Sequence, residues 1–245
     1  MHNYKLVIEY DGTDYFGWQR QKNTNKTIQE ILESSLKKIF KKDVTLTGSG
    51  RTDTGVHALN QVANFKIDAK LNNLDKILYS LNSVIPPDIS VKSLEEAKES
   101  FHSRHDAKKR EYEYRISTRK RGLQSRYYHR LIYDIDVNKI NQVLPELLGY
   151  KSFRSLCRNA SDKYDFKCEI FKVSMKEYKS RQEIIFNITG SRFLHSMVRA
   201  IAGILIDIGR NKISINEFKR KFKKGEKIST TYLPPNGLFL KKIYY

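Results

Sequence analysis

Residues 4–12 read Tyr-Lys-Leu-Val-Ile-Glu-Tyr-Asp-Gly, and residues 27–40 read Thr-Ile-Gln-Glu-Ile-Leu-Glu-Ser-Ser-Leu-Lys-Lys-Ile-Phe. The first stretch is β-branched and aromatic and closes on the turn signal Asp11-Gly12, so it predicts a strand over 4–10. The second opens with Thr27 and Glu30 at capping-box spacing: the Thr oxygen accepts a free N–H of the first turn and the Glu reaches back to the cap. Behind that cap Ile28, Ile31, Leu32, Leu36, Ile39 and Phe40 recur at helical spacing and make one apolar stripe. Lys37, Lys38, Lys41 and Lys42 load the C-terminal end, where cations complement the helix dipole. Outward from this pair, Val44–Thr47 reads as a strand, Gly48–Ala58 as a loop and Gln61–Ile67 as a strand. Leu74, Ile77, Leu78 and Leu81 make a second helix, Pro86-Pro87 stops it, and Ile89–Leu94 is a further strand. The order β-α-β-β-α-β is ferredoxin-like.

The second half repeats the theme with more decoration. Strands are expected at Tyr112–Ser117, Leu131–Val137, Phe171–Tyr178, Glu183–Thr189 and Leu238–Tyr244. Helices are expected over Ile140–Leu147, ending at Gly149, over about Phe193–Ile208, and around Ile215–Phe222. The predicted fold class is therefore α+β: two ferredoxin-like, RRM-like lobes, residues 1–105 and 106–245, with mostly antiparallel sheets and helices packed on one face.

The chain of 245 residues carries 46 Lys plus Arg against 27 Asp plus Glu, a formal charge of +19. Such a field favours polyanions. Twelve Phe and 15 Tyr exclude a disordered chain, which would be poor in aromatics. No apolar run approaches the roughly 18 residues of a membrane span, and no secretory signal is visible, so the polyanion this charge points to is nucleic acid. Cys157 and Cys168 form neither a disulfide framework nor a metal-ligand spacing, which fits a reducing cytoplasm and buried thiols.

Three stretches carry chemistry. In Gly48-Ser-Gly-Arg-Thr-Asp-Thr-Gly-Val-His-Ala58, glycines permit positive φ and close approach of a ligand around one arginine, one carboxylate and one histidine. The loop lacks the Gly-Lys-Ser/Thr ending of a P-loop, and Asp53 with His57 is too small a set for a metal. A plain turn, with Asp53 capping the backbone and Arg51 beside it, uses the same residues. From Phe101 to Arg130, ten cations (Arg104, Lys108, Lys109, Arg110, Arg115, Arg119, Lys120, Arg121, Arg126 and Arg130) face three acids, with Tyr112, Tyr114, Tyr127 and Tyr128 interleaved. Cations along a phosphate chain with aromatics to stack unpaired bases form an RNA footprint. Tyr112 and Tyr114 nonetheless share one strand face, as a core-facing pair would. In Phe193-Leu-His-Ser-Met-Val-Arg199, an apolar helix carries one guanidinium, Arg199, that needs a partner.

The motifs Gly50-Arg-Thr-Asp-Thr-Gly-Val-His57, Glu9-Tyr-Asp-Gly12, Gly17-Trp-Gln-Arg-Gln21 and His195-Ser-Met-Val-Arg199 together resemble the TruA family of tRNA pseudouridine synthases, over residues 4 to 244. The resemblance implies two ferredoxin-like lobes with a basic active-site cleft, and a cofactor-free homodimer. The implied substrate is the tRNA anticodon stem-loop, with uridines 38 to 40 converted to pseudouridine. It implies that Asp53 is the catalytic carboxylate and Arg199 its ion-pair partner. Arg51 would fill the space left by the flipped uridine, Tyr112 would stack on the target uracil, and Leu238 would line the base pocket. His57 is then structural. Thr54 and Asn60 depart from the family's usual Ala and small residue; both are small and polar.

The chemistry implied is self-consistent. A base stacked in a helix cannot turn, so the nucleotide must flip out. A guanidinium beside Asp53 favours its charged form. The carboxylate attacks C1′, attacks uracil C6 or removes the C2′ proton; the residue types suit all three. Two other readings share these features: an RRM-type RNA-binding protein, which lacks a use for the Asp53 loop, and a synthase acting on another RNA or other tRNA positions.

Overall fold

A computed structural model describes residues 1–156 and 165–245. It is a mixed α/β protein with a mostly antiparallel arrangement of strands and, among the described residues, five α-helices. Its contacts divide it into two compact units, Met1–Lys108 with Phe239–Tyr245, and Lys109–Leu238. No helix among the described residues is long and apolar enough to cross a membrane. Cys157 lies outside the described residues; Cys168 is buried.

The first unit runs β1 (His2–Tyr10), α1 (Ile28–Phe40), β2 (Thr47–Gly48), β3 (His57–Ile67), α2 (Leu74–Val84) and β4 (Ile89–Ala97). Its sheet order is β4-β1-β3, both pairings antiparallel, with β2 on β3. Alternation along β1 buries Tyr4, Leu6, Ile8 and Tyr10 on one side, as a half-buried strand requires. The α1 stripe is equally well sealed: Ile28, Leu32 and Leu36 are inaccessible. Thr27 caps the helix by accepting the Glu30 N–H at 3.4 Å, and Lys41 ends it in the left-handed region at φ 57.

Two expectations are corrected here. The strand expected at Val44–Thr47 shrinks to Thr47–Gly48, because the Leu46 N–H is taken by the Glu33 side chain rather than a neighbouring strand. The closing strand β10 (Leu238–Tyr244) joins the first unit's sheet from Phe239 onward, parallel to β3, with Phe239 opposite His57 and Leu240 opposite Ala58. Asn60 helps to hold it there: its amide donates to the Lys241 carbonyl at 2.8 Å, and its oxygen accepts from Lys92 at 3.0 Å.

The second unit contains β5 (Lys109–Ser117), β6 (His129–Arg130), α3 (Val137–Asn141), β7 (Gly149–Ser152), β8 (Lys167–Tyr178), β9 (Glu183–Gly190), α4 (Met197–Gly209) and α5 (Ile215–Lys224). Its strands are ordered β5-β9-β8-β7, all antiparallel, and β6 runs parallel to β5. The strand expected over Leu131–Val137 is absent. The chain pairs only at His129–Arg130, and Asp136 then caps α3 by accepting the Lys139 N–H at 2.9 Å, drawing Val137 into a helix. The helix expected over 140–147 breaks into α3 and a 3₁₀ turn at Leu144–Leu147, where Pro145 has no N–H to continue the ladder. The helix expected from Phe193 starts at Met197, after Ser196 at φ 56. It is apolar nearly all round and buried accordingly. Gly203 is required in it, because a Cβ there would collide with the Thr231 carbonyl.

Tyr114 locks β5 to the segment after α5, its hydroxyl donating to the Pro234 carbonyl at 2.7 Å. Burial pushes that hydroxyl far above the usual tyrosine value. An unfolded tyrosine loses its proton near pH 10 while the folded one keeps it, so the folded state binds more protons above that pH. Stability therefore falls as pH rises through about 10. Tyr114→Phe is expected to cost about 1 kcal/mol at neutral pH and to make that alkaline decline shallower. Denaturant unfolding of both proteins at about pH 8 and about pH 11 measures the difference.

Candidate active site

In the first unit the loop between β2 and β3 is held along its length by residues of the 10–18 segment. Trp18 N–H donates to the Thr52 carbonyl at 3.1 Å, Gly55 N–H donates to the Tyr15 carbonyl at 3.3 Å, and the Tyr10 hydroxyl bonds Thr52 Oγ1 at 2.8 Å. Gly17 sits at φ +86 with its backbone against Thr52, where a Cβ would collide with the carbonyl. The loop also closes on itself: Val56 N–H donates to the Asp53 carbonyl at 3.1 Å. At its start, Ser49 N–H bonds the Val62 carbonyl at 2.8 Å, and Gln61 Nε2 donates to the Gly50 carbonyl at 2.9 Å. Thr52 is buried between these anchors, Asp53 is half-buried, and Arg51 is exposed.

His57 opens β3 at the loop's end and is 1% exposed. Its Nδ1 accepts the Gly12 N–H at 3.0 Å and lies 3.1 Å from Asp11 Oδ1, and its ring stacks on Phe239 at 4.7 Å. An imidazole whose Nδ1 accepts a main-chain donor at the foot of the loop ties that loop to the 11–12 turn.

Sequence reasoning missed the layer behind that clamp. Gln29 and Glu33 stand one turn apart on α1. Gln29 N–H donates to the Trp18 carbonyl at 3.0 Å, and Gln29 Oε1 accepts the Arg20 N–H at 3.1 Å. Glu33 accepts from Arg20 Nη1 at 2.8 Å, from Gln29 Nε2 at 2.9 Å and from the Leu46 N–H at 2.8 Å. A carboxylate beside the apolar stripe, with an amide four residues earlier, was the available signal: such a pair is buried only when its partners come from elsewhere in the fold. Between Trp18 and Arg20, Gln19 Oε1 accepts from Arg51 Nε at 3.0 Å.

In the second unit, β5 turns Tyr112 and Tyr114 to the same side, both buried, as expected for a core-facing pair. Phe193 meets the Tyr112 ring edge-on at 5.1 Å and an interplanar angle of 81°. Arg199 projects from the first turn of α4, and its Nε donates to the Leu233 carbonyl at 2.6 Å while Leu233 N–H returns to the Arg199 carbonyl at 3.3 Å. The 233–234 segment thus gathers Arg199 and Tyr114. Leu238, 5% exposed, follows a short 3₁₀ turn at Pro235–Gly237. Arg51 and Asp53 therefore belong to the first unit, and Tyr112, Arg199 and Leu238 to the second.

The basic stretch divides by role. Arg115 pairs with Glu113 at 2.8 Å, and Arg110 donates to the Ser191 carbonyl at 2.8 Å. Arg121 is bound to Glu183 at 3.0 Å and lies over the Tyr128 ring at 4.4 Å. These three are built into the second unit. Arg104, Lys108, Lys109, Arg119, Lys120, Arg126 and Arg130 are exposed and supply the positive field. Among the described residues, no group of three or more His, Cys, Asp or Glu could hold a metal ion.

A model of the tRNA pseudouridine synthase family matches residues 6–106 and 143–245. A relative from Caldicellulosiruptor bescii named tRNA pseudouridine synthase A is 40% identical over 254 residues, and one of the same name from a Thermoanaerobacter strain is 37% identical over 248, each alignment covering 100% of both chains. A third, from Bacteroides fragilis, is 36% identical over 248 residues, covering 100% of this chain and 97% of the relative. This chain belongs to the TruA family of tRNA pseudouridine synthases, isomerases that act on uridine in tRNA.

Proposed function

We propose that this protein converts uridines 38, 39 and 40 of the tRNA anticodon stem-loop to pseudouridine, with Asp53 as the catalytic carboxylate, and works as a cytoplasmic homodimer without a cofactor. In this reading the chain forms two ferredoxin-like lobes that divide near residue 105, the first, joined by the returning strand β10, bearing the catalytic loop and the second bearing base-stacking and RNA-binding elements. The β-α-β-β-α-β order of the first unit supports the first of them. The observation that carries the proposal is the anchored loop: Thr52 and Asp53 are fixed through their carbonyls, while the Asp53 side chain remains half-buried rather than sealed in the core.

The target's N1–C1′ bond breaks, the uracil turns, and a C5–C1′ bond forms. C5 gives up its hydrogen to water and N1 takes a proton, so the nucleotide's composition is unchanged. Extruding a stacked nucleotide costs a few kcal/mol. Arg51, exposed at the loop's outer edge, occupies the gap, and Tyr112 stacks on the extruded ring. Arg199 holds the Asp53 carboxylate ionised, and Leu238 lines the uracil pocket. The exposed cations of residues 104–130 bind the phosphate chain.

Release of tritium from tRNA labelled with [5-³H]uridine tests the reading, because only loss of the C5 hydrogen frees the label. Release is expected from a tRNA with uridine at 38, 39 or 40, and none when all three positions carry cytidine. Undiminished release from the cytidine-substituted tRNA would overturn the positional assignment. Absence of release from every tRNA would overturn the activity.

A further inference from the structure

We infer that Gln19 is a positioning residue for Arg51, setting the orientation of the guanidinium that fills the space vacated by the flipped uridine. The inference rests on the functional reading above for the role of Arg51. Its own basis is the 3.0 Å bond from Arg51 Nε to Gln19 Oε1 and the way both ends of that bond are held. An isolated hydrogen bond between two exposed side chains competes with water and fixes little. Here the main chain on either side of Gln19 is pinned: Trp18 N–H donates to the Thr52 carbonyl, the Trp18 carbonyl accepts the Gln29 N–H, and Arg20 N–H donates to Gln29 Oε1, while the Arg20 guanidinium holds the buried Glu33 carboxylate. Arg51 is pinned likewise, between the Gly50 carbonyl bound by Gln61 and the Thr52 carbonyl bound by Trp18. The side-chain bond therefore joins two rigid pieces of backbone.

Its geometry suits the task. Arg51 is bound through Nε, the nitrogen nearest the stem, so the guanidinium plane is set while the two Nη groups form its far edge. A guanidinium set before RNA arrives loses less rotamer freedom on insertion, and that saving appears only when a base must be extruded.

The test uses the full-length protein and single-turnover tritium release on two RNAs: the natural stem-loop, and one in which the target uridine faces a mismatch and is already unstacked. Gln19→Ala is expected to slow release from the natural RNA by about two- to tenfold, with much less effect on the mismatched RNA. Gln19→Glu, which keeps an acceptor at the same place, is expected to restore most of the rate. In an Arg51→Ala background, Gln19→Ala is expected to add nothing further, the signature of two residues acting as one unit. Equal slowing on both RNAs, or an undiminished effect of Gln19→Ala without Arg51, would overturn the inference. Both residues are exposed, so an unchanged melting temperature confirms that each variant folds. The wild-type rate on the natural RNA tests the functional reading separately: its absence removes that reading, whereas its presence with unequal variants bears on Gln19 alone.

Discussion

Asp53→Asn is expected to abolish tritium release, lowering the rate by at least about 10³-fold, while leaving tRNA affinity within about threefold of the wild type. Asparagine matches aspartate in shape, so the Asp53 carbonyl can still accept the Val56 N–H and the Thr52 carbonyl the Trp18 N–H. What it removes is the negative charge and the oxygen nucleophile or base, and each of the three chemical routes open to the carboxylate needs one of them. Binding is expected to persist because the proposed phosphate contacts come from the cations around residues 104–130, far along the sequence from the loop. Release measured beside filter-binding affinity separates the two effects. An Asp53→Asn protein with near wild-type release would remove Asp53 from the mechanism.

The second large effect is on stability. Glu33→Ala is expected to destabilise the protein by about 2–3 kcal/mol. Glu33 is 7% exposed and accepts from a guanidinium, an amide and the Leu46 main chain at once. Truncating it strands the buried Leu46 N–H, leaves the Gln29 amide only the Leu46 carbonyl at 3.1 Å and leaves Arg20 only the more distant Glu30 at 4.0 Å, and an unmet buried donor is more expensive than a missing surface pair. Glu33→Gln keeps one acceptor oxygen and is expected to lose less. Arg20→Ala leaves the buried Glu33 carboxylate with the Gln29 amide and Leu46 N–H donors and is expected to cost less than Glu33→Ala, since Arg20 is 53% exposed and its pairing is partly screened. Urea denaturation ranks the three variants; a Glu33→Ala protein within about 1 kcal/mol of wild type would show that α1 and the 18–20 segment are held by packing instead.

How far the fold could be read from the sequence depended on how local each signal was. The Thr27 cap, the stripe from Ile28 to Leu36 and the alternation of β1 are each written within a few neighbouring residues, and α1 and β1 form where those patterns lie. The Leu131–Val137 stretch shows the limit. Its β-branched residues resemble a strand, yet one capping bond at Asp136 turns its end into a helix. The destination of β10 was less legible still, because its alternation identifies a strand but not the neighbour it pairs with. At the site, the glycines and charges of residues 48–57 marked the loop. The 10–18 clamp and the partners of the Gln29–Glu33 pair behind it were illegible for a different reason. Their hydrogen bonds join segments that approach only after folding, and no periodicity encodes them.

The parallel seating of β10 on β3 also governs when the enzyme becomes whole. Asn60 and its partner Lys241 are 181 residues apart, and Phe239 stacks on the histidine at the foot of the Asp53 loop. At usual elongation rates the ribosome takes about 10–40 s to travel between those two positions. For that interval the His57–Ala58 end of β3 has an unfilled edge and His57 lacks its stacking partner, although every residue of the Asp53 loop has already been made. The nascent chain thus carries its carboxylate early and completes the support beneath it last. Interrupted translation products ending before β10 are consequently left with an open strand end and no support beneath the Asp53 loop, a state suited to capture by chaperones or proteases.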